Sequence, residues 1–155
     1  MKRARSIAAL AALYATVLVM PAIAKTTNPG PIGRVSSWIG TWTCLSGKSR
    51  FTETFTPVMG GKAMRVSITG PFASEGVATF DSGRNAWFYT FVNSDGSYAT
   101  NTGPVSGSAI TFKQVYPPGS AVDTIHYVST SKYTSAFTTV VNHKKVASSE
   151  VCTKS

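Results

Sequence analysis

From residue 38 onward the chain is interrupted by turn chemistry at roughly 8–12-residue intervals, too often for any long helix to fit. The interruptions are Gly60-Gly61, Gly70-Pro71, Asp81-Ser82-Gly83, Ser94-Asp95-Gly96, Gly103-Pro104, Pro117-Pro118-Gly119 and Asn142-His143. Each offers a positive φ, a fixed φ or a side-chain-to-backbone bond that reverses the chain. Between them lie runs rich in Thr, Val, Phe and Tyr, whose branched or aromatic side chains suit a pleated surface. The runs are 40–45, 50–57, 62–69, 75–80, 86–93, 97–102, 108–115, 123–130, 132–141 and 145–153. This pattern predicts an all-β fold, a single antiparallel up-and-down β-barrel of about 8–10 strands.

Period-two alternation assigns the faces. Met64, Val66 and Ile68 point one way and Arg65 and Ser67 the other. Ile110, Phe112 and Gln114 oppose Thr111 and Lys113, and Tyr133, Ser135 and Phe137 oppose Lys132, Thr134 and Ala136. One apolar and one polar face per strand is what a closed sheet with a filled or ligand-holding interior requires. The run from Ala86 to Val92 is apolar on both faces and implies an outer cover, for which the segment before residue 38 is the candidate.

The N-terminus is read as an address. Lys2, Arg3 and Arg5 precede an uncharged stretch from Ser6 to Met20, and Pro21-Ala22-Ile23-Ala24 closes it. A basic start, an apolar middle and an A-x-A site are the plan of a secretory signal, so residues 1–24 are assigned as signal peptide, 25–37 as an extended lead-in and 38–155 as the barrel domain. Secretion or a periplasmic location follows as an expectation, with no transmembrane segment after cleavage. The 15 basic residues of the whole chain fall to 12 without the signal, against 6 acidic ones, so the net charge is +6 rather than +9. The remaining cations are scattered, without the clustered stripe a nucleic-acid partner needs.

Two cysteines in an exported chain are expected to oxidise, and Cys44–Cys152 is the default pair. The bridge spans 108 residues and is worth up to about 4–5 kcal/mol by loop-closure entropy. With an even strand number, first and last strands are antiparallel neighbours, so this bridge closes the barrel seam. If the cysteines face each other, paired positions sum to 196, which puts Trp42 opposite Lys154.

Gly40-Thr41-Trp42 places a G-x-W motif at the entry to the first strand. With the all-β architecture over residues 38–153, it resembles the calycin superfamily: lipocalins, fatty-acid-binding proteins, avidins and nitrobindin-like barrels. Exported bacterial barrels of unassigned function share the look. The resemblance implies that Trp42 plugs one end of the barrel under a basic cover, with Lys154 as candidate. Biotin binding is not implied, because the Trp-rich wall of avidins has no counterpart. A nitrobindin-like haem site would need His126 or His143, and both read as solvated.

The functional expectation is an exported, lipocalin-like protein that binds a small, mostly apolar ligand in its interior. The candidate ligand-binding residues are Phe51, Glu53, Met64, Val66, Ile68, Phe112, Gln114, Tyr133 and Phe137. Glu53 shares parity with Phe51 and Phe55; on an interior face it orients a head group, otherwise the second strand is half exposed. Glu150, with the parity of Cys152 and Lys154, points inward near the seam or meets solvent at the mouth. Tyr89, Tyr98 and Tyr127 either line a cavity or fill the core. No catalytic residue, metal site or cofactor is assigned: the chain has no G-x-S-x-G, no C-x-x-C and no calcium-loop spacing. The alternatives are a structural or protein-interaction barrel with a filled interior, and a small enzyme using an inward carboxylate.

Overall fold

Each strand run pairs with its neighbour in sequence through a tight turn, and the last returns to the first. The computed structural model describes residues 35–155, and the signal peptide expected over 1–24 and most of the expected lead-in lie outside them. A helical turn, α1 (Val35–Trp38), precedes ten strands: β1 (Gly40–Ser46), β2 (Ser49–Val58), β3 (Ala63–Thr69), β4 (Ser74–Asp81) and β5 (Ala86–Asn93) form the first half. The second half is β6 (Tyr98–Ser106), β7 (Ala109–Tyr116), β8 (Val122–Ser129), β9 (Lys132–Val141) and β10 (Lys144–Lys154). All pairings are antiparallel, and β1–β10 closes the ring into an up-and-down barrel.

The turns use the chemistry expected of them. Asp81 Oδ1 accepts from the amides of Gly83 and Arg84, and Asp95 Oδ1 from that of Ser97. Asn142 and His143 adopt φ of 49° and 62°, the conformation a two-residue hairpin demands. Two expectations are corrected. Gly103-Pro104 is no turn: β6 runs through it to Ser106, and the chain reverses at Gly107 (φ 58°). The glycine answers a packing need, since a Cβ at Gly103 would lie 2.6 Å from Ile110 Cγ2 and 2.8 Å from Phe112 Cδ1. The end of the lead-in is helical rather than extended, because Val35–Trp38 coils to deliver the Trp38 ring into the barrel.

The seam has the anticipated register, with Trp42 opposite Lys154 and Cys44 opposite Cys152, and the cysteines are bonded. Both sulfurs face inward, fully buried, beside the Tyr133 hydroxyl. Trp42 is also fully buried; its Nε1 donates to the Trp38 carbonyl at 3.0 Å, and Lys154 Nζ lies 5.4 Å from its ring centroid. Trp38 then packs on Phe55, Trp87, Tyr127 and Tyr133 at ring separations of 5.4–6.3 Å. This aromatic cluster closes the end of the barrel where β1 begins and β10 finishes, and leaves the interior towards the opposite end for a site. On β5, Trp87 is buried and Tyr89 and Phe91 turn inward, while outward Phe88 sits beneath the Arg84 guanidinium at 5.8 Å.

Candidate functional site

The inward-facing positions leave a cavity of about 250 Å³ above the Trp38 floor. Of the nine candidates from the sequence, Phe51, Glu53, Met64, Val66, Ile68, Phe112, Tyr133 and Phe137 line it. They come from β2, β3, β7 and β9, brought together because every second residue of each strand faces the axis. Gln114 is not among the lining residues: its Nε2 donates to the Pro117 carbonyl at 2.7 Å, and its side chain packs under Gly119 to brace the β7–β8 loop. The tyrosines divide. Tyr89 lines the cavity, Tyr127 reaches the Ser37 carbonyl at the floor, and Tyr98 is exposed outside, stacked with Tyr116.

Three carboxyl groups enter this apolar space, Glu53 from β2, Asp123 from β8 and Glu150 from β10. Glu53 accepts a short hydrogen bond from the Tyr133 hydroxyl, and Asp123 one from Ser135 Oγ. Glu150 has neither a hydrogen bond nor an ion pair among the described residues, though Asp123 lies close enough to act on it. Among the described residues, no Lys, Arg or His lines the cavity. Burial therefore dominates: it pushes Glu53 from 4.5 up to about 7, against the lowering effect of Tyr133, and Glu150 and Asp123 add to the rise. Glu150 is likewise raised to about 7, by burial and then by Asp123, and Asp123 is raised by burial despite its bond from Ser135. Tyr133 and Tyr89 rise for the same causes, burial first and then the charge of Glu53, so both remain neutral hydroxyls.

Cys44, Glu53 and Cys152 hold atoms within 4.8 Å of one another, but both sulfurs are committed to the disulfide, so the trio has no thiolate to offer a metal. His126 and His143 are exposed, on the outer face of β8 and in the β9–β10 turn, remote from the cavity. A haem has no histidine ligand inside.

Asp123, Ser135, Trp38 and Trp87 are among the further lining residues, and none of them was named as a site residue from sequence. Parity carried a signal for Asp123: it stands two residues before Ile125 and four before Tyr127, both inward. The chain matches no protein-family model and no curated protein.

Proposed function

We propose that this protein is an exported binding protein of calycin-like build that holds a small, mostly apolar molecule inside its barrel. The observation that carries the reading is the cavity of about 250 Å³, walled by Phe51, Met64, Val66, Ile68 and Phe112. A barrel made only for rigidity fills its axis with side chains; this one stops filling above Trp38. The space suits a ligand of roughly ten non-hydrogen atoms, bound by burial of apolar surface in a largely preformed site. The formed disulfide fits an oxidising compartment, in keeping with export. We read the protein as a carrier or sensor, in keeping with a cavity wall that is mostly apolar.

Trp38 and Trp87 line the site, so tryptophan fluorescence reports its occupancy. Titration with three eight-carbon probes, n-octanol, n-octylamine and n-octanoate, is expected to give a saturable change with at least one of them. The cavity-filling substitution Ile68→Phe is expected to weaken that binding at least tenfold. No saturable response to any of the three overturns the reading.

A further inference from the structure

The polar groups of the cavity are unbalanced in one direction. Glu53, Asp123 and Glu150 all present carboxyl oxygens, with no cation among the described lining residues to meet them. Two hydroxyl donors are already used: Tyr133 gives its proton to Glu53, and Ser135 to Asp123. Glu150 receives nothing.

Two further observations, independent of the acids, point the same way. Asn101 Oδ1 is buried on the cavity wall without a donor. Ser74, only 4% exposed, also lines the cavity, and its Oγ makes no hydrogen bond of good geometry, although the Tyr89 hydroxyl stands close enough to feel it. As a hydroxyl, Ser74 can accept from an entering donor as well as give its own proton. A buried acceptor without a donor costs free energy unless something enters to supply one. What the site lacks is a compact source of N–H or O–H donors carrying positive charge.

Building on the binding role proposed above, we infer that the ligand is an organic ammonium, an amine whose protonated nitrogen sits among Glu53, Glu150 and Asp123 while its apolar body rests on Phe51, Ile68 and Phe112. An ammonium has three donors and no acceptor, which matches the surplus on the wall. The competing head groups fit less well. A carboxylate ligand would require all three acids to stay protonated, and a neutral alcohol leaves their charge unanswered.

Binding is coupled to protons. The empty cavity holds part of its acid groups protonated at neutral pH, because burial raises Glu53 and Glu150 to about 7 and the Tyr89 and Tyr133 hydroxyls facing them bring no charge. Arrival of a cation lowers these affinities for protons and expels about half a proton to one proton per ligand at pH 7.

The test is isothermal titration calorimetry of the oxidised protein with n-octylamine, n-octanol and n-octanoate at pH 7, repeated in phosphate and in Tris. The expected result is at least tenfold tighter binding of octylamine than of either other probe, with an enthalpy that shifts between buffers by the amount proton release requires. Glu150→Gln and, separately, Glu53→Gln are expected to reduce the octylamine-over-octanol preference at least tenfold. Glu150 is the safer substitution, since it has no hydrogen bond to lose. Binding of octanol or octanoate as tight as that of octylamine, or octylamine binding without proton release, overturns the ammonium assignment while leaving the cavity reading in place. Failure of all three probes overturns both.

Discussion

Glu53 ties the stability of the barrel to pH in a direction opposite to that of an ordinary surface carboxylate. In the unfolded chain it titrates at 4.5; in the barrel, buried among apolar walls beside two other acids, it titrates at about 7. Between these values the folded state holds a proton that the unfolded state has released. The contribution is therefore complete below pH 4.5 and is lost as pH rises through 7. At about 1.4 kcal/mol per pH unit, that interval is worth about 3 kcal/mol, a large part of the stability of a small domain. Glu150 acts in the same sense, with a smaller effect because it is partly open to water. Glu75 and Asp95 are held below their ordinary range, chiefly by hydrogen bonds from Arg65 and from Ser97, and so act in the opposite sense, losing their contribution as pH falls. Urea unfolding followed by tryptophan fluorescence at pH 4.5, 6, 7 and 8, at constant ionic strength, is expected to show the wild type losing about 3 kcal/mol or slightly more across the series. Glu53→Gln keeps an acceptor for Tyr133 but cannot ionise, and its profile is expected to be flatter by about that amount. A wild-type profile that is level from pH 4.5 to 8, or a Glu53→Gln profile parallel to it, refutes the placement of Glu53 in an apolar interior.

Three further outcomes follow from the geometry. Cys44→Ala/Cys152→Ala is expected to lower stability by up to about 4–5 kcal/mol in urea titrations, because the bridge closes a loop of 108 residues; an unchanged urea midpoint would remove the seam from the account. Gly40 combines φ of 126° with a position where a Cβ would lie 2.8 Å from Lys154 Cε, so Gly40→Ala is expected to cost about 1–3 kcal/mol. In a double-mutant cycle, Lys154→Ala should recover the steric part, at least about 0.5 kcal/mol, and strict additivity would contradict the contact. Gly103→Ala is expected to cost about 1–3 kcal/mol by overpacking Ile110 and Phe112. In a double-mutant cycle with Ile110→Ala, which removes the clashing Cγ2, the combined loss should fall short of the sum of the separate losses by at least about 0.5 kcal/mol in thermal unfolding.

How far the sequence led can be judged from particular residues. Strand number, faces and seam register were legible because they depend on local rules: a period of two, turn chemistry and one pair of cysteines that had to meet. Eight of the nine cavity candidates line the interior for the same reason. Gln114 misled because parity says where a side chain starts, not where it ends, and near the β7–β8 loop a long amide found the Pro117 carbonyl. Gly103-Pro104 misled because a glycine needed for close packing has the same appearance in sequence as one needed for a turn. The gathering of Glu53, Asp123 and Glu150 was the least accessible feature. Asp123 and Glu150 lie on β8 and β10, which both flank β9, and only ring closure through β1 and β10 brings β2, with Glu53, to the same wall.

That closure also shapes how the molecule must assemble. Nine of the ten strand pairings join neighbours in sequence, and only β1 with β10 unites the distant ends. Pairings between sequence neighbours are opposed by little chain entropy. The entire cost of long-range order is concentrated in one contact, so the barrel behaves during folding like a strip that curls and then latches. Until the latch is made no cavity exists, and Glu53 and Glu150, on either side of it, remain far apart in a solvated sheet. Binding competence therefore arrives in a single event, at the end.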